Sequence, residues 1–359
     1  MSGDNVTNSG NITSSDNTTV SGGNVTNSGN VTGGNTTVSG DNVTNSGNIT
    51  GSDNTTVSGG NVTNSGNVTG GNTTVSGDNV TNSGNISGTD NTTVSGGNVT
   101  NSGNVTGGNT TVSGDNVTNS GNISGSDNTT VNATNNVTNS GNVTGGNTTV
   151  SGDNVTNSGN ISGTDNTTVN ATNNVTNTGN ITGGNTTVSG NDVTNSGNIS
   201  GSDNTTVSAT NNVTNTGNIT GNNTTVSGSN VTDNGYINGT NNTTINSTYH
   251  NPTDDSTVSN QGNDSGSVIA GFKSGIGDVA GAVENMMSSN STNAVIGSGD
   301  GSNLAQPVDK SVEATLYQQL HMENPGEVKP LFNCTDSGVM NLPAGEKQLN
   351  GECENVDKK

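Results

Sequence analysis

The chain has no tryptophan and no arginine, and only two phenylalanines, three tyrosines and two cysteines among 359 residues. Hydrophobic residues make up 22% and aromatics 1%, against a formal net charge of −22. That balance ordinarily leaves too little apolar surface to offset the entropy of ordering a chain, so it excludes a conventional globular core. The cations are Lys273, Lys310, Lys329, Lys347, Lys358 and Lys359, so residues 2–245 carry none. A surface without a cation cannot neutralise phosphates, which excludes nucleic acid and anionic membrane as partners of that stretch. The same stretch lacks His, Cys and Glu. It therefore holds no nucleophile–base pair and no acid–base set, and neither an enzyme nor a cofactor site is expected. Two cysteines are too few for a disulfide-rich scaffold or a zinc site. Met1 is followed by neither a basic segment nor an apolar one, so no secretory signal is visible. No apolar run approaches the roughly 20 residues that span a bilayer.

What is present is one short sentence written thirteen times between residues 2 and 245. Residues 2–20 read SGDNVTNSGNITSSDNTTV and residues 21–38 read SGGNVTNSGNVTGGNTTV; copies of 18 or 19 residues then follow. Aliphatic residues sit in three unbroken columns. The first begins Val6, Val25, Val43, the second Ile12, Val31, Ile49, and the third Val20, Val38, Val57. A fixed period with β-branched columns implies a chain that coils and stacks on itself. The strand period of two turns Val6, Ile12, Thr18 and Val20 inward and Asn5, Thr7, Asn11, Asn17 and Thr19 outward. Asn-Ser-Gly, Ser-Ser-Asp and Gly-Gly lie between as corners, where a positive φ would be tolerated. The expected fold is an all-β solenoid, a triangular β-helix of about 13 coils, on the order of 60 Å long at ~4.8 Å per coil.

The six-residue step from Val6 to Ile12 resembles that of hexapeptide-repeat β-helices. The step from Ile12 to Val20 is eight, and alternate copies drop one corner residue. The outward asparagines recur so that stacked side chains can hydrogen-bond in ladders. The same triplets read formally as N-glycosylation sequons, but their density points to strand geometry rather than glycan attachment. Asp4 with Asp16, Asp41 with Asp53 and Asp78 with Asp90 recur in odd copies. Each corner thus carries one carboxylate about every 9.6 Å, too far apart for two to share a Ca²⁺. No metal site is expected.

The domains are expected to be the rod over residues 1–245, a linker over 246–266, and a small, partly helical C-terminal domain over 267–359. Phe272, Ile276, Val279, Val283 and Met286 recur at helical spacing and form a candidate oligomer or anchor seam. A second helix is expected over 308–322, ended by Asn324-Pro325-Gly326. Cys334 and Cys353 are candidates for a loop-closing disulfide in an oxidising setting. The first coil has no cap, so protein partners, or a second copy, are expected there and at the C-terminal helix, making a homo-oligomer.

Three roles fit this pattern. The first is a structural rod, such as a virion spike or another surface fibre, placed on a virion or outside a cell. The second follows from Asn17-Thr-Thr-Val-Ser-Gly22, which resembles the Asn-x-Val-x-Gly repeats of grass antifreeze proteins. That resemblance implies an ice-binding face made of Thr19, Thr37, Thr56 and Thr74. The third is a subunit of a self-assembling extracellular filament.

Overall fold

The computed structural model describes residues 1–252 and the short strands Thr257–Asn260, Ser267–Phe272, Asn293–Ser298, Val339–Met340 and Leu349–Asn350, with side chains described through Ser247. Residues 2–245 form a parallel β-solenoid of thirteen coils, each strand pairing with its counterpart one coil on. Val6 faces Val25, Val20 faces Val38 and Val105 faces Ile123, so the repeat and the register coincide. Because side chains alternate along a strand, this register keeps every aliphatic column on the same side from end to end. All three columns are buried, apart from Ile12 in the first coil, which packs partly buried against them.

The corners are fewer than three breaks per coil. From Asn67 onward a single strand such as Asn122–Asn139 runs round two corners, and only the Ser-Gly step leaves the strand. Its two N–H groups donate to the coil below, as Ser120 and Gly121 donate to the Asn101 carbonyl. Long corners meet short ones by local slips in register. Gly107 and Asn109 oppose Gly125 and Asn128, for example, so one extra residue bulges without disturbing the columns.

The glycines do a different job from the one expected. None of the glycines from Gly3 to Gly239 has a φ in the left-handed region. A Cβ on Gly121 would instead collide with the backbone carbonyl of Gly103 in the coil below. The absent side chain is what lets successive Ser-Gly corners stack at strand spacing.

Pairing does not stop at residue 245. The strand Tyr236–Pro252 sets His250 against Val231 and Pro252 against Asp233, and Thr257–Asn260 pairs with Tyr236–Gly239 above it. The expected linker therefore begins as a further partial coil. Beyond it, Ser267–Phe272 pairs in parallel with Asn293–Ser298, so Phe272 closes a strand where the first turn of a helix was expected. Ile276, Val279, Val283 and Met286, the expected helix over 308–322, Cys334 and Cys353 lie outside the described residues. No described residue is helical.

Candidate interaction surfaces

Two polar columns run inside the rod with the aliphatic ones. Thr18, Thr36 and their successors point inward as alternation requires, and the Thr36 hydroxyl donates to the Thr50 carbonyl at 2.8 Å. The other column was read from sequence as a corner and is in fact interior. Asn8 is 7% exposed, and its successors from Asn27 to Asn215 are 1% exposed or less. Each donates upward to the next rung: Asn27 Nδ2 reaches Asn45 Oδ1 at 2.8 Å, the Gly29 carbonyl at 3.0 Å and the Asn48 carbonyl at 3.4 Å. One amide thus satisfies its neighbour in the ladder and the carbonyls of the adjoining corner. A buried amide costs free energy unless so paired, which is why the column is an unbroken run of Asn through Asn215. The signal was available, since Asn8 lies two residues from the inward Val6.

Three further ladders run on the outside, and they point the other way. Asn24 Nδ2 donates down to Asn5 Oδ1 at 2.8 Å, Asn30 to Asn11 at 2.8 Å and Asn35 to Asn17 at 3.0 Å. These are the ladders expected from sequence. Above the first coil their amide nitrogens are donors within the stack. The first ladder is interrupted by Asp192, which accepts from Asn212 Nδ2 at 2.6 Å. The second ends where Tyr236 stands in register with Asn218.

Two threonine columns flank these ladders without a gap. Thr19, Thr37, Thr56 and Thr74 stack in register as expected of a flat array. Thr19 is exposed, but Thr37, Thr56 and Thr74 are half-buried. The column beginning Thr7, Thr26, Thr44 and Thr63 is the more exposed of the two. Beside Asn5 it makes an exposed hydroxyl-and-amide surface.

The edges carry the charge. Asp41 and Asp53 are exposed at the two corners of one odd coil, and Asp78 and Asp90 at those of the next odd coil. Among the described residues no three His, Cys, Asp or Glu side chains gather where they could hold a metal ion. One edge changes along the rod. Ser-Gly-Gly opens the second, fourth and sixth coils, whereas Asn132-Ala-Thr-Asn135 and Asn170-Ala-Thr-Asn173 open the eighth and tenth. The extra residue turns Ala133 and Ala171 into the core and raises Thr134 and Thr172 as teeth. A shallow polar notch lies between Thr172 and Thr210, floored by Gly190.

Compared with known protein families, curated proteins and solved structures, the chain matches none of them.

Proposed function

We propose that this chain is a structural rod, a component of a virion spike or surface fibre, that holds the residues beyond its last coil at a fixed distance from a base. The observation that carries this reading is the stacking of thirteen coils with their aliphatic columns kept in line, and with four asparagine ladders running along them. Such a stack is stiff because each inner coil is bonded to both neighbours, and its outward chemistry is neutral except at the edges and at Asp192. A binding pocket or catalytic centre needs local diversity, and the repeat supplies shape instead. We read the protein as non-enzymatic and without a cofactor, acting on a virion or cell exterior as a homo-oligomer. Its partners are proteins, or further copies of itself, at the first coil and near Phe272.

Electron microscopy of the intact chain and of a truncation after Asn260 tests this. Discrete small oligomers from the intact chain, and single rods on the order of 60 Å from the truncation, support the rod. Fibres that persist or lengthen on truncation support the filament subunit instead.

One observation favours a second reading, ice binding: two threonine columns run beside the ladders of Asn5 and Asn17 with constant spacing. Micromolar protein should then shape ice crystals and produce freezing hysteresis. Tyr at Thr26, Thr44 and Thr63 should abolish the effect if the exposed column carries it, and Tyr at Thr37, Thr56 and Thr74 if the half-buried one does. Rounded crystals with no hysteresis from the folded protein reject this reading.

A further inference from the structure

The buried asparagine ladder ends in an acid. Twelve asparagines from Asn8 to Asn215 form its rungs, and the thirteenth rung is Asp233. Asn215 Nδ2 donates to Asp233 Oδ1 at 2.7 Å, and the Gly235 N–H donates to the same oxygen at 3.1 Å. Asp233 is 0% exposed, and its Oδ2 has no partner. By elimination Oδ2 occupies the place where every other rung has Nδ2, the donor that reaches a corner carbonyl, as Asn195 reaches Gly197 and Asn215 reaches Gly217, each at 3.1 Å. An ionised Oδ2 there is an acceptor in a slot built for a donor. A protonated Oδ2 is a donor and restores the pattern of the other rungs. The residue in register above is Pro252.

We propose that Asp233 keeps a proton on Oδ2 in the folded rod, and that losing this proton unlatches the last coil, making the joint between the rod and the residues beyond it sensitive to pH. Burial agrees with this, because it holds the Asp233 carboxyl above the usual carboxylate range against the opposing hydrogen bonds from Asn215 and Gly235. The sign follows from linkage. The folded state binds this proton more tightly than the unfolded chain does. The latch is therefore tight in acid and weakens as pH rises from the ordinary carboxylate value through the raised one.

Among the described residues few other charges bear on the site. The strand below, Asn198–Asn215, contains only Asp203, exposed at another corner, and Asp233 has no charged neighbour on its own strand, Asn218–Asp233. The strand above, Tyr236–Pro252, contributes three titratable residues, Tyr236, Tyr249 and His250, with Tyr249 in register with Asn230. Tyr236 lends its carbonyl to Asn215 Nδ2 at 3.5 Å, and His250 stands in register with Val231. Asp192 sits lower, on the outer ladder, bonded to Asn212.

Hydrogen exchange on the full chain between pH 4.5 and 7.5, corrected for intrinsic rates, reads the latch directly. Opening of residues 219–252 should rise by up to about tenfold over that range, relative to residues 104–139, for each unit by which the folded carboxyl is displaced within it. Asp233→Asn should remove the rise, and His250→Gln should leave it in place. An unchanged rise in Asp233→Asn, or its loss in His250→Gln, overturns the proposal. A carboxyl carbon NMR titration of the unsubstituted protein gives a second test that no folding failure can blur. Ionisation of Asp233 at an ordinary carboxylate pH would refute the bound proton.

Discussion

The first coil and the seventh have nearly the same sequence and differ in what surrounds them. Residues 2–20 read SGDNVTNSGNITSSDNTTV, and residues 113–131 read SGDNVTNSGNISGSDNTTV. In the seventh coil Ile123 is fully buried; its counterpart Ile12 is only partly so. Asn119 is 1% exposed and Asn8 7%. A Cβ on Gly121 would strike the carbonyl of Gly103, whereas one on Gly10 would meet nothing within 4 Å. Burial in this protein is therefore a property of stacking, since a coil supplies only part of its own core and the neighbours supply the rest. The same substitution should weigh more in the middle of the rod than in the first coil. Four substitutions measure that difference, from the most damaging to the least.

Val117→Asp should have the largest effect. It places a carboxylate in a column that is 1% exposed, with no cation in residues 2–245 to pair with it. A loss of more than about 3 kcal/mol is expected, enough to split the rod into two independently melting segments. Val6→Asp should fray only the first coil, because Val6, though buried, has a neighbouring coil on one side only. Chemical denaturation followed by circular dichroism separates the two outcomes. Equal losses from both variants would mean that the rod unfolds as one unit and that stacking is not the source of the difference.

The second substitution concerns what sequence reasoning missed. The aliphatic columns, the outer ladders and the inward Thr18 column were all legible, because period-two alternation and an 18–19-residue repeat leave few alternatives. Asn8 was taken as a corner because asparagine is usually a surface or turn residue. Its burial depends on an acceptor in the next coil, which composition does not display. The corner glycines were legible as corners but not in their reason, which is contact with the coil below rather than backbone handedness. The interaction surfaces were the least legible, because every coil offers the same few side chains. Asn119→Ala tests the hidden ladder. It strands the Asn139 Oδ1 that Asn119 serves at 2.7 Å, together with the Gly121 carbonyl at 3.1 Å. Leaving such buried groups unpaired should cost about 2–4 kcal/mol. Asn8→Ala, with no rung beneath it, should cost roughly half as much or less.

Gly121→Ala should come third. The added methyl meets backbone rather than a flexible side chain, so the corner has to shift and the overpacking should cost about 1–3 kcal/mol. Gly10→Ala should be near neutral, since the space beside it is open. Melting temperatures of the two variants are enough to compare them. A Gly10→Ala variant as damaged as Gly121→Ala would show that the first coil is covered in solution, and would point to a partner stacked on it.

The smallest effect should come from the outer ladder, and there the contrast between the coils should vanish. Asn116 donates to Asn98 Oδ1 at 3.2 Å and accepts from Asn136 Nδ2 at 3.0 Å, so it has neighbours on both sides as Asn119 does. Asn5 at the end of the same ladder has only Asn24. By count of hydrogen bonds Asn116→Ala should cost more than Asn5→Ala. The outer ladder faces water, however, and a lost amide–amide bond is replaced by solvent on both partners, leaving a net cost within about 0.5 kcal/mol at either position. Denaturation midpoints for the two variants should therefore agree with each other and lie close to the unsubstituted protein. A loss at Asn116 approaching that of Asn119→Ala would mean that the outer ladders are as closed to water as the inner one. The Asn5 and Thr7 face would then have to be covered by another molecule in solution.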